Sequence, residues 1–262
     1  TISTENAAIV LVYVDSTRGW LNVNDSTNVE GTAFITATGG TITTVCTNFK
    51  VHTFTGPGTF EITGGAGPLA KLDYLVVAGG GAGGTDYGGG GGAGGFRESK
   101  TSAVSGCWTA SPLVSSTPLG PFSPGSIPVT VGAGGSPVTG TGSGGAVLSN
   151  PGNVSTFSTI TSAGGGRGGS TVPSHPNTTG EGGPGGSGGG GAWCSPGGGT
   201  AFAGGTGNTP PVSPAQGRDG GLGRHVGPSY NSQGGGGGAT ANGTCAGPGV
   251  GGGPGGAGAT TS

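Results

Sequence analysis

Gly182-Gly183-Pro184-Gly185-Gly186-Ser187-Gly188-Gly189-Gly190-Gly191 decides the fold. One hydroxyl and one pyrrolidine ring are all the side-chain matter it holds, so no hydrophobic core can form there. Helix is excluded, because each Gly costs roughly 1 kcal/mol against Ala in a helix interior. A sheet gains little from residues with nothing to pack. Polyproline II, with about three residues per turn, leaves its N–H and C=O groups without internal partners. Neighbouring strands must then supply them. With no Cβ in the way, such helices approach closely and join through N–H···O and Cα–H···O contacts. The second half of the chain therefore reads as a bundle of polyglycine II helices.

The pattern extends outward from that stretch. Runs lie near 163–170, 180–191, 197–207, 217–223, 234–240 and 247–258, with loops near 171–179, 192–196, 208–216, 224–233 and 241–246. At ~3.1 Å per residue the runs span roughly 20–35 Å. Collagen is excluded, since the Gly period resets at each loop and collagen needs strict G-X-Y. Leu, Ile, Val and Phe total 44 of 262 residues, below the ~20% at which disorder is suspected. Disorder also wants high net charge. Here charged residues are 7% and the formal net charge is −2, so an ordered, backbone-bonded solid is expected.

The first half reads as strands. Ala7 to Val14 is an apolar run, Asp15 to Gly19 a turn cluster, and Trp20 to Val23 a second strand. An isolated hairpin is marginal, so this one needs copies of itself or another domain. Short strands are expected at Thr32–Ile35, Thr41–Val45, Lys50–Phe54 and Thr59–Ile62, where Thr alternates with β-branched or aromatic residues. Leu72–Val77 is apolar on both faces and is expected in the middle of a sheet. Ile127–Val131 carries Pro128, tolerable at an edge, and Val154–Thr161 alternates as one strand. The fold class is all-β: N-terminal strands and hairpins, then a polyglycine II bundle with connecting loops, and no α-helix. The domains read as a hairpin attachment and oligomerisation segment at 1–30, a β-rich domain with the first glycine runs at 31–162, and the bundle with binding loops at 163–262.

Several function classes drop out. Gly79, Gly81 and Gly84 match G-x-G-x-x-G after a strand, but a dinucleotide site needs a helix opening there, and Gly88 to Gly95 cannot form one. The 8 Lys and Arg are scattered, so no nucleic-acid footprint exists. No apolar run is long enough for a membrane helix. Cys46, Cys107, Cys194 and Cys245 lack zinc-site spacing and admit either one or two disulfides or buried thiols. His52 sits in a strand, and His175 and His225 in loops. With ten carboxylates in the whole chain, the rigid nucleophile, base and orienter of a catalytic site are not expected. No cofactor and no metal are expected either. The chain has no Met, so Thr1 reads as the start of a fragment or a processed product.

The chain resembles the glycine-rich tail-fibre and adhesin proteins of tailed bacteriophages, notably marine ones. The matching stretches are Leu11–Trp20, Val51–Phe60, Asp73–Gly81, Gly91–Ser99, Val129–Gly135 and Ser155–Thr161. The resemblance implies a trimeric fibre end, a polyglycine II bundle, a place in the virion outside the cell, and binding to a host surface. The partners it implies are a host glycan or outer-membrane protein, other fibre proteins, and further copies of the chain. Apart from the resemblance, Ile9, Leu11, Tyr13, Trp20 and Leu21 have too little of the chain to cover them. A homo-oligomer held through residues 1–70 is therefore expected. A structural subunit of an extracellular fibre or sheath is the second reading, and an ice-binding protein the third.

Binding residues usually sit on the loops of a rigid scaffold. If runs alternate in direction and strand 72–77 leads outward, Asp86 and Tyr87 lie at the far end. Counting reversals puts the loops at 136–144, 171–179, 208–216 and 241–246 there too. His175, Asn177, Asn208 and Asn242 then join Asp86 and Tyr87 as candidate receptor-binding residues. The loops at 192–196 and 224–233 fall at the near end with Trp193, His225 and Tyr230, the alternative set. Within the runs, Gly189→Val is expected to disrupt the bundle and Thr178→Val to be silent.

Overall fold

The computed structural model describes residues 9–16, 19–25, 35–46, 49–65, 70–100, 108–138, 147–171, 180–193, 201–225, 231–245 and 251–261. Among these there is no helix, and the strands fall in several sheets. In chain order they are β1 (Ile9–Asp15), β2 (Gly19–Asp25), β3 (Thr36–Thr38), β4 (Thr41–Val45), β5 (Phe49–Thr53), β6 (Gly58–Gly64), β7 (Tyr74–Val77), β8 (Phe96–Ser99), β9 (Val114–Ser115), β10 (Gly125–Thr130), β11 (Ser155–Phe157), β12 (Ile160–Ser162), β13 (Arg224–His225) and β14 (Asn231–Ser232). β1 and β2 form the expected first hairpin, with Tyr13 opposite Trp20. β4 and β5 form a second, from Thr41 opposite Thr53 to Val45 opposite Phe49.

The apolar core sits on a five-stranded sheet of order β12-β11-β10-β6-β3. Phe60 and Ile62 of β6 alternate with exposed Thr59 and Glu61, so one face turns inward. They are buried with Val129, and Phe54, Leu72, Phe122 and Phe157 pack against them. The Phe157 ring stands edge-on to Phe60 at 5.6 Å, and His52 does the same at 5.0 Å. His52 Nδ1 also lies 2.8 Å from the Gly39 carbonyl.

The expected strand Thr32–Ile35 lies outside the described residues except for Ile35, which precedes β3, and three further strand expectations need correction. Val154–Thr161 is a hairpin, β11 and β12, because Ser158 adopts φ +52° and turns the chain without a Gly or Pro to announce it. β7 is an outer strand of the sheet β7-β8-β9, and its second apolar face is solvent-exposed at Leu75 and Val77. Pro128 is not at an edge, since β10 lies between β6 and β11. Its missing N–H is tolerated because pairing with β11 begins only at Val129.

The glycine bundle begins at Gly79, and runs on either side of residue 163 share it. The N–H groups of Gly79 and Ala82 donate to Asn153 and Asn150, those of Gly81 and Gly84 to Gly92 and Gly89. Each direction thus recurs every third residue, as a threefold helix requires. Neighbours run parallel, as Gly165 and Gly168 do to Gly79 and Ala82, or antiparallel, as residues 81–84 do to 89–92. Residues 187–193 are the central run. Ser187, Gly190 and Trp193 donate to Ala93, Gly90 and Tyr87; Gly188 and Gly191 to Arg218 and Gly221; Gly189 and Ala192 to Gly183 and Gly180, all at 2.7–3.0 Å. The carbonyls of this run accept from residues 166 and 169, from 237 and 234, and from 205. Six neighbours surround it. Its Ser187 is fully buried and donates to the Gly238 carbonyl at 3.0 Å.

A buried carboxylate ties the last run to the sheets. Glu98 is 2% exposed; it accepts from the Ser111 N–H at 3.0 Å and from the Thr261 hydroxyl, and pairs with Lys100 at 3.3 Å. Burial pushes its pKa up, but the hydrogen bonds from Ser111 and Thr261 and the Lys100 contact outweigh this and hold it below the ordinary value. A depressed folded-state pKa gives stability that is full above the unfolded value of about 4.3 and is lost as pH falls through the folded one. The thermal midpoint should therefore drop in acid below that value. Glu98→Gln should lower the midpoint at neutral pH and flatten its acid slope. An acid slope unchanged in that variant would assign the titration to other groups.

Candidate functional site

The bundle has two ends. At one, the chain passes between bundle and sheets five times: β7 to Ala78, Gly95 to β8, β10 to Gly132, Asn153 to β11, and β12 to Ala163. The other end carries chain reversals. Asp86 turns there with φ +52°, between antiparallel runs 81–84 and 89–92. A small polar side chain tolerates this left-handed conformation. Asp86 is bridged to Thr171, and the Thr85 N–H donates to Ser170 Oγ at 3.1 Å.

Tyr87 and Trp193 meet at this end. Their ring centroids are 5.1 Å apart with planes at 59°, and the Trp193 N–H donates to the Tyr87 carbonyl at 3.0 Å. Tyr87 is 43% exposed and Trp193 only 7%, so the tryptophan backs an accessible tyrosine ring. The β13–β14 hairpin is on the same side, following Gly223, which pairs with Phe202.

The expected grouping of loops by end is corrected by one reversal. Residues 180–191 are two runs, not one. Gly183 donates to Arg167 and Gly186 to Gly164, so the chain descends; Ser187 then bonds Ala93 and Trp193 bonds Tyr87, so it climbs. The turn at residues 185–187 needs no loop, because Gly185 and Gly186 lie against neighbouring backbone, where a Cβ would stand 2.4 Å from the Gly166 nitrogen or 2.3 Å from the Gly95 nitrogen. Every later loop changes ends as a result. Trp193 and the backbone of His225 join Asp86 and Tyr87, whereas Asn208 and Asn242 lie at the opposite end, by the sheets. His175, Asn177 and Tyr230 lie outside the described residues. Thr171 and Gly180, which flank the first two, are at the Tyr87 end: Thr171 is bridged to Asp86, and Gly180 accepts from Ala192.

The two asparagines hold turns. Asn208, at φ +49°, accepts from the Val212 and Gln216 N–H groups at 3.1 and 3.2 Å and donates to the Val212 carbonyl. Asn242 Oδ1 accepts from the Asp219 N–H, and Asp219 Oδ1 from the Gly207 N–H at 2.7 Å. Sequence reading missed Gln216, which is 1% exposed. Its side chain accepts from the Ala163 N–H and donates to the Pro210 carbonyl, both at 2.8 Å. A lone Gln in a Pro-rich loop carries no signal for that.

Residues 53–262 match the family described as a glycine-rich domain. The chain belongs to that family. No curated protein and no solved structure matches it. The matched span of this glycine-rich domain takes in β6, the later sheet strands and the whole bundle. Cys46 is disulfide-bonded, and the Cys245 thiol lies 3.7 Å from Ser232 Oγ; Cys107 and Cys194 lie outside the described residues. Among the described residues, no three His, Cys, Asp or Glu side chains cluster as a metal site would need.

Proposed function

We propose that this protein is the adhesin at the tip of a viral tail fibre and binds a host cell-surface glycan or the loops of an outer-membrane protein. One observation carries the reading: the exposed Tyr87 ring, backed by Trp193, sits among chain reversals at the end of a rigid scaffold away from the sheets. Aromatic faces stack on sugar rings and on the apolar parts of protein loops, while Asp86 offers a carboxylate beside them. The sheet end, with the first hairpin, joins further copies of the chain, as a trimer, and the rest of the fibre. The motifs at Leu11–Trp20 and Val51–Phe60 support this assignment by their resemblance to phage tail-fibre proteins.

Labelled protein should bind saturably to bacterial envelope preparations. Periodate treatment of the envelopes should abolish binding if a glycan is the receptor, and protease treatment if an outer-membrane protein is. Absence of saturable binding to envelopes and to glycan arrays would end the reading.

A further inference from the structure

A groove of about 540 Å³ runs along the bundle between residues 88–93, 233–238 and 252–258. Its walls are almost wholly glycine backbone. Residues 90 and 93 donate to Gly234 and Gly237, and residues 89 and 92 to Gly169 and Gly166, so two of the three donor directions of that run are used. The third points away from these neighbours. Among the described residues, the N–H and C=O of Gly91, the N–H of Gly236, and the N–H and C=O of Gly252 and Gly255 have no partner within the chain. The free groups on the last run recur every three residues, about 9 Å apart. That is the repeat at which every inner run meets its neighbours, and the groove has the form of a vacant position in the bundle.

We propose that the groove is filled by the glycine run 251–258 of a second copy of this chain. A side-chain-bearing strand or a helix does not fit walls that present backbone groups at that spacing. Run 251–258 is largely exposed, whereas the inner runs are buried. Gly253 and Gly256 bond inward to Gln233 and Gly236, while the exposed Gly252 and Gly255 carry free donors and acceptors in turn, so the run complements a copy of itself laid antiparallel, the relation residues 81–84 already have to 89–92.

The groove can be blocked without disturbing the fold. A Cβ at Gly255 meets only the Gly236 carbonyl at 3.6 Å, and one at Gly252 only Gln233 at 4.0 Å. At Gly251, which does not line the groove, it meets nothing within 4 Å. In sedimentation experiments on the full chain, Gly255→Leu and Gly252→Leu should each raise the dissociation constant of this two-fold pairing at least tenfold and leave association through the sheet end as it is in the parent. Melting temperature should not change, and Gly251→Leu should behave as the parent. Amide exchange should slow at residues 88–93 and 252–256 on association in the parent and not in Gly255→Leu. A parent that stays monomeric, an unchanged constant in both groove variants, or fast exchange at those amides in the associated protein would overturn the proposal. Association that persists with fast groove exchange would place the contact elsewhere and leave the receptor reading untouched.

Discussion

Gly189→Val is expected to destabilise the bundle strongly, while Gly258→Val leaves it intact. A Cβ at Gly189 would lie 1.9 Å from the Arg167 carbonyl oxygen, with the carbonyl carbon at 2.5 Å. Both are backbone, so no rotamer change relieves the clash. Gly189 is in the central run, where moving away from Arg167 presses on the runs on the other sides. The cost should reach about 3 kcal/mol or more, the upper part of the range for overpacking. For a chain of this size that is a fall of roughly 6–12 °C in melting temperature. At Gly258 a Cβ meets nothing within 4 Å. Thr178, the control expected from sequence, lies outside the described residues, so Gly258 takes its place. Equal melting temperatures for the two variants would show that the runs are not packed backbone to backbone.

Tyr87→Ala is expected to cost at least about 2 kcal/mol of receptor binding, roughly thirtyfold in Kd, as for an aromatic anchor in an interface. Its ring is half exposed, so stability should change little. Asn208→Ala should do the reverse. It strips the partner from the Val212 and Gln216 N–H groups, at about 1–3 kcal/mol of stability, and leaves binding unchanged. Binding and melting measured on both variants decide between the two ends. Full binding by Tyr87→Ala, with loss in variants of the 208–216 loop, would place the receptor surface at the sheet end.

Much of this architecture was legible. Thr alternating with Val, Ile and Phe marked β4, β5 and β6 to within a residue or two, through the preference of β-branched and aromatic residues for strands; only β6 turns a fully buried apolar face inward, while Ile42 of β4 and Val51 of β5 stay exposed. The glycine runs declared themselves for the opposite reason, since only backbone bonding remains once side chains are gone. Glycine also hid the reversal at residues 185–187. Elsewhere a turn comes with a loop of side chains; here its only traces are Pro184 and Ser187, two breaks within ten residues of otherwise continuous glycine. That single loopless turn moved Trp193 beside Tyr87 and sent Asn208 and Asn242 to the sheet end. Glu98 and Gln216 were illegible too, because, Lys100 apart, their partners are backbone groups and a hydroxyl that touch only after folding.

The hydrogen bonds between runs lie across the long axis of the bundle, and the Tyr87 end and the sheet end are its two poles. A pull applied between a receptor at one pole and an attachment at the other acts along the runs. It loads those bonds in shear, many at once, so they cannot open one after another as in a zipper. The same scaffold that holds the loops in place is therefore built to carry tension.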